Sequence, residues 1–580
     1  MSVRDTVGLL KNSRGNDGIT QEEFSNGICS SVTLSNIETG KNIIKTRTFE
    51  GLCKKVGRKE KIFPVFNSYD QYLITDCLSQ IRRLISVGDS YGALTKFAEG
   101  VEYRDYNNKL KAEYLFLVGI YYRVFCGADD TGELYIKKSI ELLGLGQRDI
   151  RDFTSVLEYE VYISDDYNAL SVIKGGKVSY YLDCIESSQL TENEKKYLKM
   201  VAYASLTFAY DEAGDEEMSV KFAKLCQKYA RESSNGYFML YVYRKVYRSE
   251  EFLWGIRDIY DVFGWNRKPS EDEIKKLPEY IDKVIRKEHV SSDSQKKMTD
   301  ILKYVCQTSD ITNEQISYGL CDEGKLKNYQ NGRNKITLLP LQCFFERAGA
   351  STDAFVFWGN KKEVIYNALR EMDFKEIKYP DERLDYIISN TKEGLEQVLY
   401  NQIRMMFQAD FTEDDEIRLS SLWMAIKKTC PSITAENICE YALSWTEIMI
   451  LIDIGYVYLK LSRDDEALKL FEQVLKYYKR RHFNISFAAS AFPRAVMLYV
   501  LTLYKQKRYD NLIEFVNSKE YDVFMYDFDA VSTVLTCYSK SLHRLGRRNE
   551  FVDHLIEVIN NSYHNSCDRM FEIVFGKDKE

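Results

Sequence analysis

The chain has 580 residues, of which 45% are hydrophobic and 29% charged, the balance of an ordinary folded protein rather than a disordered or membrane-embedded one. Its formal net charge of −7 excludes a globally basic nucleic-acid binder but not a local basic module. Seven prolines and 30 glycines in so long a chain favour long helices, because both residues interrupt them.

The first 66 residues are basic relative to the rest of the chain. They hold 11 Lys and Arg against 7 Asp and Glu, a net charge of +4, so the remainder carries −11. A basic head on an acidic body suits a protein that presents one end to DNA and keeps the rest away from it.

Residues 20–27 predict a short helix and the turn that follows it. Thr20 and Glu23 stand three apart and form the pattern of a capping box, in which each side chain bonds the other residue's backbone N–H. The helix should run to about Asn26. Gly27 then supplies the left-handed conformation that commonly ends a helix.

A second short helix is predicted directly after this turn. Ser30 or Ser31 caps it, it runs to about Thr39, and Leu34 and Ile37 face its core side. Two short helices joined by a Gly-containing turn are typical of the DNA-binding helix-turn-helix.

The second helix of that motif enters the major groove with its N-terminal residues at the base edges. Ser and Thr hydroxyls can bond several bases, Val can touch a thymine methyl, and Asn can pair with adenine. A Gln opening the first helix and the following basic residues would contact phosphates. The predicted DNA contacts are Gln21, Ser30, Ser31, Val32, Thr33, Asn36, Lys41, Lys45 and Arg47. The helix lacks arginine, so we expect modest specificity per site, helped by dimeric binding.

Helix pairs follow in the first half. Apolar residues spaced three and four apart predict pairs near 72–101, 109–143 and 196–231. The polar segment 285–296 then reads as a link to the second half.

The helix-turn-helix segment occurs a second time, 292 residues later. Residues 19–41 align without a gap on residues 311–333, and nine positions are identical. We therefore predict two copies of one unit, about 1–290 and 295–580. In the second copy Asp322 and Glu323 stand at the groove-facing start of the second helix, where carboxylates repel phosphates. This favours a second module that is degenerate or contacts protein.

The string from Ile19 to Lys41 resembles the XRE-type, lambda-repressor-like helix-turn-helix. Followed by a long helical-repeat region, it resembles the RRNPP peptide-pheromone regulators of the Rgg and PlcR type. The resemblance implies an N-terminal DNA-binding domain joined to tetratricopeptide repeats, which bind a short signalling peptide and usually mediate dimers. Two fused copies depart from the usual single unit of that family.

The clearest repeat lies at Leu451–Leu475. Gly455 and Ala467 are small residues that let two antiparallel helices approach, and Tyr458 and Phe471 fill the space between them. Their offsets match the tetratricopeptide pattern. Weaker relatives follow around 499–516 and 537–555. Stacked pairs of this kind bury a continuous core and form a groove. The individual peptide contacts in that groove are not identifiable from the sequence.

The sequence predicts no enzyme, metal site or cofactor. The five histidines lack metal-ligand or triad spacing, and no phosphate loop or nucleophile elbow occurs. The 13 cysteines form no C-x-x-C pair and read as buried residues of a reducing cytosol. No apolar run is long enough to cross a membrane, and the start has no signal-peptide core. The expected location is the cytoplasm.

Together these patterns predict an all-α protein in which a helix-turn-helix and a tetratricopeptide-like solenoid are duplicated in tandem. The predicted domains are 1–66 and 295–360 for the two heads, and 67–290 and 361–580 for the repeats. The predicted function is a transcriptional regulator that binds double-stranded DNA, senses a peptide or protein, and forms a homodimer or an intramolecular pseudo-dimer. We favour the homodimer. The alternative is a protein-interaction scaffold or inhibitor whose heads no longer bind DNA.

Overall fold

The computed structural model of the chain divides into two compact units, one containing the described residues up to 287 and the other those from 298 onward. The described residues are 11, 14, 19–39, 41–42, 48, 51–52, 68–153, 155–165, 177–188, 190, 192–233, 268–287, 298–334, 336–350, 385, 388–389, 391 and 393–547. Across these ranges every regular element is helical, which confirms the all-α prediction.

The first unit begins with two short helices and continues with longer helices joined by short turns. Its helices are α1 (Gln21–Ser25), α2 (Ser31–Glu38), α3 (Tyr69–Ser86), α4 (Ser90–Gly100), α5 (Asn108–Tyr121), α6 (Asp129–Leu143), α7 (Val156–Asp165), α8 (Lys177–Ser187), α9 (Glu192–Glu212), α10 (Glu216–Ser233), α11 (Glu271–Ile274) and α12 (Leu277–Arg286).

The second unit repeats this order of short helices followed by longer pairs. Its helices are α13 (Met298–Thr308), α14 (Asn313–Ser317), α15 (Glu323–Gln330), α16 (Leu338–Arg347), α17 (Leu395–Asp410), α18 (Asp415–Lys427), α19 (Trp445–Lys460), α20 (Asp464–Arg480), α21 (Ile485–Ala491), α22 (Pro493–Lys505), α23 (Tyr509–Asn517) and α24 (Phe528–Arg544).

The long helices form where a capping residue precedes an apolar stripe at helical spacing. The hydroxyl of Ser68 accepts the backbone N–H of Gln71 and so caps α3. Ile74, Leu78 and Ile81 of that helix are then buried, because residues three and four apart share one face.

The helices pack as consecutive pairs, as predicted in both halves. The pairs expected near 72–101, 109–143 and 196–231 are α3 with α4, α5 with α6 and α9 with α10. In the second unit, the pairs expected near 451–475 and 499–516 are α19 with α20 and α22 with α23. The pair expected near 537–555 is described only as far as 547. Assignment of these pairs to the tetratricopeptide class stays a prediction.

Small residues set the closest approaches between paired helices. A Cβ built on Gly455 of α19 would lie 2.4 Å from Cε1 of Phe471 on α20. A Cβ on Gly119 of α5 would lie 2.7 Å from the carbonyl oxygen of Gly132 on α6. A larger side chain at either position would push the two helices apart. The predicted role of Gly455 is thus confirmed.

None of the helices in the described part of the chain is both long and apolar enough to cross a membrane.

Candidate nucleic-acid interface

The first head consists of α1, α2 and the turn between them, and its local geometry follows the sequence closely. The hydroxyl of Thr20 accepts the backbone N–H of Glu23 at 3.2 Å, while the Glu23 carboxylate accepts the N–H of Thr20 at 2.9 Å. These bonds lower the pKa of Glu23. Gly27 has a φ of +77°, as a left-handed turn residue requires. The predicted capping box and turn are confirmed.

Ser30 caps α2 and fixes its orientation over a small core. The Ser30 hydroxyl accepts the backbone N–H of Thr33 at 3.1 Å. Leu34 and Ile37 are buried, as the sequence predicts, and Phe24 of α1 is buried as well. The opposite side of the first turn therefore points outward, and the side chain of Val32 is 68% exposed.

The predicted base-contacting residues are gathered on that outward turn. Ser31 is half-buried, and the hydroxyls of Ser30 and Thr33 lie 2.8 Å apart in one hydrogen bond. Asn36 is half-buried one turn later, and its carbonyl accepts the backbone N–H of Lys41 at 2.8 Å. The structure therefore brings the four N-terminal contacts together and keeps Asn36 on the same helix.

The predicted phosphate contacts are only partly described. Lys41 is exposed directly after α2. Lys45 and Arg47 lie outside the described residues. Their role in binding phosphates stays a prediction.

The side chain of Gln21 is held by the protein, which the sequence analysis did not foresee. Its amide donates to the Glu38 carboxylate at 2.6 Å, and Arg14 donates to the same carboxylate at 2.9 and 3.2 Å. Glu38 is the one charged residue of α2, and its side chain is buried. Because Arg14 neutralises it there, the outward side of α2 is uncharged. The start of α1 is taken up by the capping box, and the exposed carboxylates of Glu22 and Glu23 there oppose a phosphate.

The second head has the same helices at the same spacing. Helices α14 and α15 have five and eight residues, as do α1 and α2. Thr312 and Gln315 form a capping box, which confirms the repeated device. The amide of Gln330 donates to Asn313 at 2.9 Å, and these residues occupy the positions of Glu38 and Gln21. The second head thus keeps the same bridge between its helices with neutral groups in place of charged ones.

The start of α15 differs chemically from the start of α2. Asp322 replaces Ser30 as the capping residue and accepts the backbone N–H of Lys325 at 2.7 Å. Glu323 forms an ion pair with Lys327 at 2.9 Å, so this surface carries both signs of charge. Phosphates would meet two carboxylates at the helix start, which opposes DNA binding.

A buried ion pair attaches the second head to the longer helices of its own unit. Arg347 is 1% exposed and Glu447 is fully buried, and Nε of Arg347 donates to the carboxylate at 3.1 Å. Another nitrogen of Arg347 donates to the carbonyl of Tyr318 at 2.7 Å, in the turn between α14 and α15. Burial alone would raise the pKa of Glu447, but Arg347 and the Ser444 backbone together lower it. The charged pair thus stays ionised inside the protein.

The two turn glycines show how differently the heads are surrounded. A Cβ on Gly319 would lie 2.0 Å from the carbonyl oxygen of Thr429, so the second turn packs directly on the repeat region. A Cβ on Gly27 would meet no described atom within 4 Å. Sequence reasoning missed this docking because Arg347 and its partner are 100 positions apart.

The first unit also contains a polar network that joins four of its helices. Arg82 on α3 donates to Glu160 on α7 at 2.7 Å, to Glu113 on α5 at 3.3 Å and to the Tyr197 hydroxyl on α9 at 3.3 Å. Burial raises the pKa of Glu160, and the guanidinium of Arg82 opposes that rise. The network thus links four alternate helices of the first unit, α3, α5, α7 and α9. Among the described residues no cluster of His, Cys, Asp and Glu is suited to hold a metal ion.

Comparisons with known proteins identify a structural neighbour of low similarity. No family model matches the chain. No curated protein matches it by sequence. The neighbour is a crystal structure of Bacillus thuringiensis PlcR in complex with the peptide PapR7 and DNA, at 14% sequence identity and a TM-score of 0.29. The match covers 48% of this chain and 99% of that chain.

Proposed function

We propose that the chain is a cytoplasmic transcription regulator that binds double-stranded DNA through its first head. In this proposal α2 lies in the major groove, and the helical repeats bind a peptide or protein effector and mediate self-association. The observation that most directly supports this proposal is the first turn of α2. The side chain of Val32 is 68% exposed there, beside Ser30, Ser31 and Thr33, while Leu34 is buried. No catalytic activity is part of the proposal.

The chemistry of this turn suits a base edge better than it suits water or a protein core. An apolar side chain exposed at a helix start gains nothing from solvent, whereas a thymine methyl offers it an apolar partner. The neighbouring hydroxyls both donate and accept hydrogen bonds, so they can adapt to several bases. Because Glu38 is neutralised inside the head, α2 can approach phosphates without a charge penalty from its own residues.

Regulation requires that an effector bind one arrangement of the protein better than another. The Arg82 network provides a physical route for this, because it ties α3, α5, α7 and α9 together through shared bonds to Glu160 and Tyr197. An effector that competes for one of these bonds would shift the packing of all four helices. We expect the resulting change to alter how the first heads are presented to DNA.

The direct test is an electrophoretic mobility shift with the DNA upstream of the protein's own coding sequence. Wild-type protein should bind at low salt. If Lys41, Lys45 and Arg47 each neutralise one phosphate, log K should fall against log salt with a slope of about −3 per head. Absence of wild-type binding at low salt, with and without candidate peptides, would contradict the proposal.

The matched variants are Ser31→Glu with Thr33→Glu, and Ser31→Gln with Thr33→Gln. A Glu or Gln at position 33 completes a capping box with Ser30, as Glu23 does with Thr20, so both variants should keep α2 folded. The Glu variant should bind DNA at least about 100-fold more weakly, because two carboxylates then face phosphates. The Gln variant controls for size and should lose much less.

A protein-interaction scaffold is the second candidate, and the second head favours it. Its acidic start at Asp322 and Glu323 opposes DNA binding, and its turn is docked on the repeats through Arg347. If the first head also does not bind DNA, the Glu and Gln variants at Ser31 and Thr33 would not differ in any DNA-binding measurement.

A further inference from the structure

Helix α18 of the second unit carries apolar side chains on its solvent side. Phe411, in the turn before it, is 56% exposed, and Ile417 and Met424 on the helix are 58% and 52% exposed. Ile417 and Met424 are seven residues apart and therefore lie on one face, two turns from each other. The opposite face of α18 is buried in the repeat core through Leu419 and Leu422.

The outer helices of the next two pairs show that this feature is unusual in the unit. Every exposed residue of α20 is charged. The exposed residues of α23 are all Asp, Asn or Glu. A helix that already buries one face in the core gains nothing in stability from exposing further apolar side chains, so the stripe on α18 indicates an interaction surface.

The residues around the stripe are arranged symmetrically about its centre. Two small residues, Ser420 and Ser421, lie between Ile417 and Met424, where a second helix could approach closely. Acidic Glu413 and Asp414 stand before the helix, and basic Lys427 and Lys428 stand at its other end, all of them exposed. Each acidic residue is as far from the centre as one basic residue.

We propose that α18 pairs antiparallel with α18 of a second copy of this chain, across a two-fold axis between Ser420 and Ser421. In that arrangement Ile417 meets Met424 of the second copy, and Glu413 meets Lys428. Asp414 likewise meets Lys427 of the second copy. A two-fold interface requires a surface that is complementary to itself, and the pair Ile417 and Met424, with the acidic and basic residues at the two helix ends, meets that requirement.

The inference specifies the self-association contained in the proposed function but does not require that the protein bind DNA. The small residues at the centre allow close helix approach, the apolar pairs are removed from water, and the charged ends fix the antiparallel direction. An unrelated protein partner would have no need of this symmetry. A second copy of the chain is therefore the partner that the pattern favours.

The test is sedimentation equilibrium of the full chain without DNA, from about 0.1 to 50 µM, a range that brackets micromolar affinities. The wild type should pass from the 67.8 kDa monomer to a species of twice that mass. Ile417→Glu with Met424→Glu should raise the dissociation constant at least about 100-fold, because it places charges in the apolar centre. Both positions are exposed, so the fold should survive, and circular dichroism checks this. Lys469→Glu, on the charged outer side of α20, is the control and should change nothing.

A charge exchange tests the direction of pairing. Glu413→Lys or Lys428→Glu alone should raise the dissociation constant about tenfold, since each places like charges opposite one another. The two changes together should restore it. A wild type that is monomeric throughout, a dimer that survives the double Glu variant, or a charge exchange that fails to restore dimerisation would each overturn the inference. A monomer that still shifts DNA would leave the proposed DNA binding intact and remove only the self-association, whereas a dimer that binds no DNA would contradict only the proposed DNA binding.

Discussion

At the scale of single residues, the first head depends on a carboxylate that faces inward. Glu38 accepts hydrogen bonds from Arg14 and Gln21 and so joins the end of α2 to the start of α1. In the second head the same link is made by Gln330 and Asn313. The same connection is thus made with different charges, which indicates that the bridge itself matters for the shape of the head.

Replacing Glu38 should loosen the first head locally. Glu38→Ala removes the carboxylate that Arg14 and Gln21 share, and since Arg14 is partly exposed and keeps its bond to the Ile19 carbonyl we expect a loss of about 2 kcal/mol. That corresponds to roughly 30-fold faster hydrogen exchange across 21–38, measured by mass spectrometry on the full chain. Glu38→Gln, which copies the second head, should exchange more slowly than Glu38→Ala. Equal exchange in Glu38→Ala and the wild type would show that the bridge is unimportant.

The buried pair of Arg347 and Glu447 should make the second unit sensitive to acid. Because the pKa of Glu447 is lowered on folding, its ionised form stabilises the fold above its unfolded pKa, and this contribution disappears as pH falls through the folded value. We expect the urea midpoint of the second unit's transition to fall as pH drops below about 4. Glu447→Gln should lower the midpoint at pH 7 and flatten this acid dependence. A variant with the wild-type pH profile would contradict this role for Glu447.

At the scale of elements, two similar pairs of short helices are placed in different surroundings. The turn of the second head contacts Thr429 through Gly319 and is bonded by Arg347. Helix α2 of the first head instead exposes its first turn, with Val32 outermost. The pair of short helices therefore recurs in both units. The partners that each pair can bind depend on which of its surfaces the rest of the protein buries.

The two equivalent glycines test this difference with the same substitution. Both adopt positive φ, so Gly27→Ala and Gly319→Ala share a backbone cost of about 1 kcal/mol. Only at Gly319 does the new methyl group collide with the Thr429 carbonyl, which should raise the total cost to at least about 3 kcal/mol. Hydrogen exchange across 313–330 should therefore respond much more strongly than exchange across 21–38. Similar responses in both segments would contradict the docking of the second head.

The local parts of the fold were predictable from sequence, and the long-range parts were not. The capping residues Thr20 and Ser30 act within three positions, so their roles can be read directly from spacing. The close helix approach at Gly455 follows from a repeated pattern of small and aromatic residues. By contrast, Gln21 meets its partner 17 positions away and Arg347 meets its partner 100 positions away. Such pairs depend on packing that no local pattern encodes.

At the scale of the whole molecule, the chain combines two helical units that share a sequence pattern. The surfaces of their heads differ in charge. The first head presents a neutral turn followed by exposed Lys41, while the second presents carboxylates at the same positions. The remainder of the chain carries a net charge of −11, which does not favour DNA binding beyond the first head. We therefore propose that one head of each chain, the first, contacts DNA.

The most direct test compares Thr33→Glu with Lys325→Glu, the same new residue at equivalent positions of the two heads. Both place Glu three residues after a capping residue, Ser30 or Asp322, so both helices should remain folded. DNA affinity of the full chain is measured by fluorescence anisotropy at about 50 mM salt, where electrostatic contacts are strong. The account predicts that Thr33→Glu weakens binding by at least about tenfold and that Lys325→Glu leaves it unchanged. Equal losses in both variants, or a loss only in Lys325→Glu, would contradict it.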